Sequence, residues 1–332
     1  MRPLNKLRPA AAAAAMAVAT PAAVIESSCD SSGSNQISES VAIRPARFYS
    51  SSQLKIPTAA HAALRERGFA IVDNWLSEAT VADVRASLKS SHLEFRPTGQ
   101  SVTSTRADRI LWLNENGKLR APQNAPPLPS ALRTAVLALK SIAWELQEAL
   151  ISEAPSSRSD GAVAAEPERL EVPRNVMASV YEGPPLSGAV HELGDLVGYR
   201  PHRDHAPPAD DDLFWCWKSD REQSERRFTA IAYFNPSGEG WGEEEGEGSS
   251  AGDLVNRNGG SLRIFVGADR RDDDGTTASE VVDVAPRGGR LVLFDSRTVL
   301  HAVTPVTEQG AQRFALSCWF LSSAGPSGGG AR

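Results

Sequence analysis

Residues 199–205 read Tyr-Arg-Pro-His-Arg-Asp-His, and the tripeptide His202-Arg203-Asp204 within them is the feature around which the rest of the chain can be organised. On an extended segment, side chains two residues apart point to the same side. The imidazole of His202 and the carboxylate of Asp204 can therefore reach one metal ion together. A tripeptide of this kind often arises by chance, so its meaning depends on the residues elsewhere in the chain.

A third metal ligand is available at His301, which has apolar neighbours on both sides in residues 299–303. Two histidines and one carboxylate occupy one face of an octahedron and leave three positions open. This arrangement is the facial triad of non-haem Fe(II) oxygenases. The sequence therefore predicts an iron site made of His202, Asp204 and His301.

A turn-rich segment, residues 307–312, follows His301 and leads into an apolar run that begins with Arg313. We interpret this region as a β-hairpin whose second strand opens with the arginine. A guanidinium group can hold a carboxylate through two parallel hydrogen bonds. Arg313 is therefore the candidate to bind the distal carboxylate of 2-oxoglutarate, if the iron site uses that cosubstrate.

Composition and charge restrict the class of protein. A chain of 332 residues with 41% hydrophobic and 23% charged residues is ordinary globular material, enough for one large or two small domains. The net charge of −6 provides no overall basic surface, so no nucleic-acid partner is expected. The three cysteines, Cys29, Cys216 and Cys318, are far apart, which argues against a disulfide framework or a zinc ribbon.

The N-terminal segment, residues 1–55, differs in composition from the rest of the chain. Basic residues precede an alanine-rich run at 10–19, a serine-rich stretch follows, and the first acidic residue is Glu26. This pattern predicts a secretory or organellar targeting segment, with a low-complexity tail as the alternative and a cytoplasmic location left open. The alanine-rich run is too short to span a bilayer, so no transmembrane segment is expected.

The folded region is predicted to run from 56 to 322, before a glycine-rich flexible tail at 323–332. Its first part, 56–170, has helical patterns at 58–67, at 78–89 after a Ser77 cap, and from a Ser130 cap to about 153. Extended segments are predicted at 69–73 and 110–113. The polar stretches 92–108 and 154–171 are predicted to be loops.

The second part, 171–322, changes to strand-like periodicity. Many short strands separated by turn residues predict an all-β sandwich or barrel. Two acidic or glycine-rich interruptions, 206–225 and 237–258, are predicted to be surface loops. The strand candidates are 176–181, 228–235, 261–265, 280–284, 290–294, 300–303 and 314–321.

An ordered series of motifs over residues 61–321 resembles the prolyl 4-hydroxylase branch of the Fe(II)/2-oxoglutarate dioxygenases, and within it the hypoxia-inducible-factor prolyl hydroxylase type. One such motif alone would mean little, whereas the complete series in this order is specific. The motifs are RGFAIVD at 67–73, RADRILW at 106–112, MASVY at 177–181, GYRPHRD at 198–204, YFN at 233–235, GGSLRIF at 259–265, RLVLF at 290–294, His301 and RFAL at 313–316.

The resemblance implies a mainly β fold with flanking helices, built on a double-stranded β-helix, the cupin-like jelly roll. It assigns Fe(II) to His202, Asp204 and His301, and the distal carboxylate of 2-oxoglutarate to Arg313 with help from the Tyr233 hydroxyl. Tyr181 would lie beside the cosubstrate. The pocket would be lined by Leu262 and Trp319. L-Ascorbate is the expected reductant, again by resemblance only.

The resemblance also implies the reaction. A prolyl residue of a peptide or protein would be hydroxylated at C4 with O2, and 2-oxoglutarate would be converted to succinate and CO2. The polar segment 94–105 occupies the place of the family's mobile substrate-covering loop, which favours a peptide. Two alternatives stay open, namely a hydroxylase of a free amino acid or other small molecule, and a non-catalytic β-barrel binding module.

Two features depart from the family pattern. Arg313 lies twelve residues after His301 (313 − 301), somewhat more than is usual, and the loops between Asp204 and residue 261 are long. These loops border the mouth of the barrel, so substrate identity is the least transferable part of the resemblance. Asp108 and Arg226 match charged positions near the mouth, and we interpret them as a solvent-exposed ion pair.

Overall fold

The strand-rich half of the chain folds as two facing antiparallel sheets, as seen in a computed structural model of the protein. Residues 1–53 of the predicted N-terminal targeting segment, 206–224 of the predicted loop at 206–225 and 324–332 of the predicted tail lie outside the described residues. The structure describes residues 54–90, 93–97, 108–114, 117–118, 127–152, 168–184, 198–205, 225–236, 239–242, 244–245, 254–267 and 278–323.

Three helices precede most of the strands in the described part of the chain. They are α1 Thr58–Arg67, α2 Glu78–Leu88 and α3 Ser130–Ser152. Gly68 ends α1 in the left-handed conformation with φ +79°, and the Ser77 hydroxyl accepts the backbone N–H of Thr80 at the start of α2. The third helix includes Ser130, which was predicted to lie just before it. None of these helices is both long enough and apolar enough to cross a membrane.

The strands form one large sheet, one small sheet and a separate two-stranded pair. In the large sheet the order is β1-β13-β8-β15-β6-β3-β2, with β4 beside β3 and β5 beside β15. In the small sheet the order is β12-β11-β14-β7, and the separate pair is β9 with β10. The bounds are β1 Phe69–Val72, β2 Arg96–Pro97, β3 Arg109–Asn114, β4 Gly117–Lys118, β5 Arg169–Glu171, β6 Val176–Glu182, β7 Tyr199–His202, β8 Arg226–Tyr233, β9 Glu244–Glu245, β10 Leu254–Val255, β11 Leu262–Val266, β12 Glu280–Val284, β13 Leu291–Asp295, β14 Leu300–Val303 and β15 Gln312–Ser323.

Alternation along the central strands of the large sheet separates two hydrophobic cores. On β8, Phe228, Ala230 and Ala232 belong to the core shared with the helices, whereas Ile231 and Tyr233 belong to the core shared with the small sheet. Successive side chains of a strand point to opposite faces, so a strand covered on both faces contributes to both cores. The arrangement confirms the predicted fold class, a mainly β protein with flanking helices and a jelly-roll core.

The predicted hairpin between His301 and Arg313 is wrong. Strand β14, which contains His301, pairs with β7 and β11 in the small sheet. Strand β15 begins at Gln312, contains Arg313 and pairs with β5, β6 and β8 in the large sheet. The turn residues at 307–311 therefore belong to a connection between sheets. Turn chemistry shows where a strand ends but not which strand the next one joins, because pairing is set by distant partners.

Three segments that were predicted as loops contain short strands. Arg169–Glu171 pairs with β15, Arg96–Pro97 pairs with β3, and Glu244–Glu245 pairs with Leu254–Val255. Strands of two or three residues are too short to show a period of their own. Each forms where a partner segment offers backbone hydrogen bonds, which a local pattern does not reveal.

Candidate functional site

Strand pairing in the small sheet brings the two predicted histidine ligands together. In the antiparallel register of β7 and β14, His202 lies opposite His301, and their rings are 4.3 Å apart between centroids. Phe294 packs against His301 at 4.6 Å and Tyr199 against His202 at 3.8 Å. Asp204 follows two residues after His202, so its carboxylate can reach the same space.

The three side chains have distances that suit a single ion. Nε2 of His202 lies 3.6 Å from Oδ1 of Asp204, and Nε2 of His301 lies 3.9 Å from Oδ2. Each residue offers one ligand atom, and these three atoms lie within 4.8 Å of one another. The three residues form the cluster of potential metal ligands found in the described part of the chain. Two atoms bound at about 2.1 Å to one ion can be no more than about 4.2 Å apart. Each measured pair is within this limit, and the two pairs involve different oxygens of Asp204.

Backbone carbonyls orient both imidazole rings. Nδ1 of His202 lies 2.8 Å from the carbonyl oxygen of Arg200, and Nδ1 of His301 lies 3.2 Å from that of Val299. An N–H on each Nδ1 donates to these carbonyls and leaves the lone pair on Nε2, which faces Asp204. Metal-binding histidines are commonly held in this way.

The protonation states also suit metal binding. Burial alone would raise the pKa of Asp204, but the charges of His301, His202 and Arg226 hold it well below the usual value. Burial, together with the charge of His202, lowers the pKa of His301 to about 4. At neutral pH the site therefore offers an ionised carboxylate and a neutral imidazole, which are the forms that bind a metal.

Arg226 lies inside the site, contrary to the prediction of a solvent-exposed ion pair with Asp108. Its side chain is 12% exposed, its guanidinium lies 4.5 Å over the Trp319 ring, and Nη1 donates to the backbone oxygen of Asp204 at 3.2 Å. Asp108 is also buried. The prediction was wrong because a charged residue in the sequence does not reveal its surroundings, and Arg226 begins β8 next to the metal cluster.

Arg313 is a buried cation on the inner face of the large sheet. Only 2% of the residue is exposed, and its guanidinium lies 5.1 Å from the ring centre of Tyr181 and 5.0 Å from that of Tyr233. Nη2 donates to the Tyr233 hydroxyl at 3.4 Å, whereas the buried Nε has no hydrogen-bond partner among the described residues. Because an uncompensated buried charge is costly, this position calls for an anion.

Glycine and tyrosine shape the space around this guanidinium. Gly260 has φ +66°, and a Cβ there would come within 2.9 Å of Cδ of Arg313. Burial raises the pKa of Tyr233, so its phenol keeps its proton and can donate a hydrogen bond. The predicted pocket residues Tyr181 and Leu262 are buried in the same inner core.

Two other arginines, one just before the start of β13 and one just after its end, are already engaged. Arg290 donates from Nε and Nη2 to the two carboxylate oxygens of Asp73 and from Nη1 to a backbone carbonyl. Arg297 is 37% exposed in its side chain and lies 3.4 Å from Glu168. Among these three cations, Arg313 is the one whose surroundings fit a carboxylate ligand.

Comparison with known proteins connects this geometry with a family. Residues 188–321 match the 2OG-Fe(II) oxygenase superfamily. The matched segment contains the described strands β7 to β14 and most of β15. It therefore includes the metal cluster and Arg313. It supports a dioxygenase that uses iron and 2-oxoglutarate, while the roles of individual residues stay predictions. No curated protein matches the sequence.

The solved structures that match this chain include two prolyl hydroxylases and an epimerase. A Pseudomonas putida prolyl-4-hydroxylase has a TM-score of 0.45 and 22% identity, over 79% of this chain and 97% of that one. A Trichoplax adhaerens prolyl hydroxylase bound to a peptide fragment of hypoxia inducible factor has a TM-score of 0.44 and 20% identity, over 79% of this chain and 87% of that one. The epimerase SnoN from nogalamycin biosynthesis has a TM-score of 0.42 and 13% identity, over 79% of each chain.

Proposed function

We propose that this protein is an Fe(II)- and 2-oxoglutarate-dependent dioxygenase that hydroxylates a prolyl residue of a peptide or protein at C4. The observation that carries the proposal is the combination of a His-Asp-His cluster with a buried, incompletely hydrogen-bonded guanidinium. Both are placed by β8, whose Thr229 contacts Asp204 and whose Tyr233 contacts Arg313. One strand therefore connects the proposed iron ligands with the proposed cosubstrate anchor.

The residues have separate tasks in this proposal. His202, Asp204 and His301 hold iron on one side and leave positions open, while Arg313 and Tyr233 hold the distal carboxylate of 2-oxoglutarate. Iron, 2-oxoglutarate and O2 together supply the chemistry, which yields succinate and CO2 and places one oxygen atom in a C–H bond. A carboxylate ligand at Asp204 favours hydroxylation over halogenation, because halogenases of this type leave that position to the halide.

The jelly-roll interior provides the surroundings that this chemistry needs. Tyr181, Leu262, Ile264 and Phe294 are buried in the core that the two sheets share. Apolar walls exclude water and strengthen the attraction between Arg313 and a bound carboxylate. Trp319 lies at the Arg226 end of the same inner face, since it pairs in register with Thr229.

The prolyl substrate rests on the sequence resemblance, which continues outside the metal site. The motifs at 67–73 and 106–112 lie in the helical half of the chain, and the polar segment 94–105 takes the place of a substrate-covering loop. Residues 98–105 of that segment lie outside the described residues. A peptide has to be held along its backbone, and a loop that closes over it is one way to do so.

A turnover assay tests the proposal directly. The full chain is incubated with Fe(II), 2-oxoglutarate, ascorbate and prolyl peptides, with the same peptides carrying alanine in place of proline as controls. We expect succinate together with the gain of one oxygen atom on the prolyl peptides alone, by mass spectrometry. Oxidation of free amino acids but of no peptide would favour the small-molecule alternative. Absence of succinate under all conditions would favour a non-catalytic barrel.

The covering-loop hypothesis makes its own prediction. Deleting residues 98–105 leaves Pro97 and Arg109, which pair at the end of β2 and β3, joined by three residues. We expect the rate of peptide hydroxylation to fall far more than the rate of peptide-independent decarboxylation of 2-oxoglutarate, because only the peptide needs the loop. Equal rates before and after the deletion, with the fold checked by circular dichroism, would contradict the hypothesis.

A further inference from the structure

Two buried hydroxyl groups lie behind the proposed iron ligand Asp204. Thr229 on β8 donates from Oγ1 to Oδ2 of Asp204 at 2.7 Å, and the same Oγ1 lies 2.8 Å from Oγ of Ser296. Thr229 and Ser296 are both fully buried. An ionised carboxylate can only accept, so the single hydroxyl proton of Thr229 is directed to Asp204 and Ser296 must donate to Thr229. The direction of the short chain from Ser296 to Asp204 is therefore determined.

A carboxylate ligand needs such an orientation because either oxygen can reach the metal. Oδ1 of Asp204 faces His202 at 3.6 Å, and Oδ2 faces His301 at 3.9 Å. A strong hydrogen bond to Oδ2 competes with metal binding at that oxygen and leaves Oδ1 for the ion. Binding through one oxygen keeps an additional coordination position open, which a cosubstrate that binds through two atoms requires.

The backbone around Asp204 is held from the same two places. Asp204 lies beyond the last paired residue of β7, so the sheet itself does not hold it. The backbone N–H of His205 donates to the carbonyl of Ser296 at 2.9 Å, and Arg226 donates to the carbonyl of Asp204 at 3.2 Å. Ser296 therefore holds both the backbone next to the ligand and, through Thr229, its carboxylate.

We propose that Thr229 is a positioning residue that, supported by Ser296, holds Oδ2 of Asp204 so that Oδ1 alone is offered to the metal. This inference deepens the proposed function and rests on it, since it presumes that Asp204 is an iron ligand. The sequence around Thr229 does not indicate this role, because a threonine within an apolar strand has the same pattern whether it supports a metal ligand or only fills the core. Its position is explained by the contact between β8 and the end of β7.

The test measures metal binding without substrate turnover. Co(II) is titrated into metal-free full-length protein, and affinity and the visible absorption spectrum are recorded for wild type, Thr229→Val and Thr229→Ser. We expect Thr229→Val to weaken Co(II) binding by about 10- to 100-fold, the range for residues that orient metal ligands, and to change the spectrum. Thr229→Ser keeps the hydroxyl and is expected to restore both. Thr58→Val, at an exposed position of α1, is the matched control and should behave as wild type.

The outcomes distinguish this inference from the proposed function. A wild-type protein that binds Co(II), together with a Thr229→Val protein of the same affinity and spectrum, would overturn the positioning role alone. A wild-type protein that binds neither Co(II) nor Fe(II) would overturn the iron site and the positioning role together. Thermal unfolding of the metal-free variants separates a loss of folding from a loss of affinity. If Thr229→Val does not fold, the smaller Thr229→Ala takes its place with the same expected loss.

Discussion

Replacement of His301 by alanine is expected to abolish conversion of 2-oxoglutarate to succinate while the protein stays folded. His301 is 4% exposed and would provide one of three iron ligands, so its loss removes an interaction that no neighbouring side chain replaces among the described residues. Changes to residues that only orient ligands cost about 10- to 100-fold, and loss of a ligand itself should cost more. The measurements are the rate of succinate formation and the Fe(II) affinity.

Folding should survive because His301 contributes to the sheet mainly through its backbone. The residue pairs in register with Ile264 on one side and with His202 on the other, and alanine keeps those backbone hydrogen bonds. His61→Ala is a suitable control, since this histidine is on α1 and outside the metal cluster. A His301→Ala protein that retains full activity with added iron would eliminate the assignment. His202→Ala is expected to behave like His301→Ala.

The helices and most central strands could be predicted from local signals. Ser77 precedes α2 and caps it, Gly68 ends α1, and the near-continuous apolar runs of β8 and β15 fit strands buried on both faces. These signals lie within a few residues of the elements they define. Local pattern is therefore sufficient for the existence and type of these elements.

Sheet membership could not be predicted in the same way. The strands β14 and β15 are separated by the eight residues 304–311 but belong to different sheets. In a jelly roll, consecutive strands often cross between sheets, and the hydrogen bonds that decide this come from residues far along the chain. The predicted hairpin failed for this reason.

The candidate site shows the same division between local and distant information. His202 and Asp204 share a spacing that already suggests a common ligand, and the structure brings His301 to them through the pairing of β7 and β14. The supporting residues Thr229 and Arg226 have no comparable motif. Their roles depend on β8 lying beside the metal cluster, which becomes visible only after the sheets are assembled.

Replacement of Arg313 by alanine is expected to raise the concentration of 2-oxoglutarate that the enzyme needs. The variant leaves the distal carboxylate in a buried space beside Tyr233 without a cation, and loss of one partner of a buried charge pair costs roughly 2–5 kcal/mol. This corresponds to a loss of affinity of about 30- to 5,000-fold. Arg313→Lys should recover part of it, because the charge returns without the planar fork. Binding of 2-oxoglutarate is measured by calorimetry and by its apparent KM.

A cosubstrate that lacks the distal carboxylate makes this prediction specific. Wild type should strongly prefer 2-oxoglutarate over 2-oxovalerate, which has the same chain length and a methyl group at the far end. Arg313→Ala should lose most of this preference, because the proposed carboxylate–guanidinium pair would be the interaction that discriminates between the two acids. Arg297→Ala is the control, since that arginine is partly exposed and lies beside Glu168, and it should keep the preference. If Arg313→Ala keeps the wild-type affinity and preference, another cation binds the carboxylate. Arg290 would then be tested next, although its bonds to Asp73 argue against it.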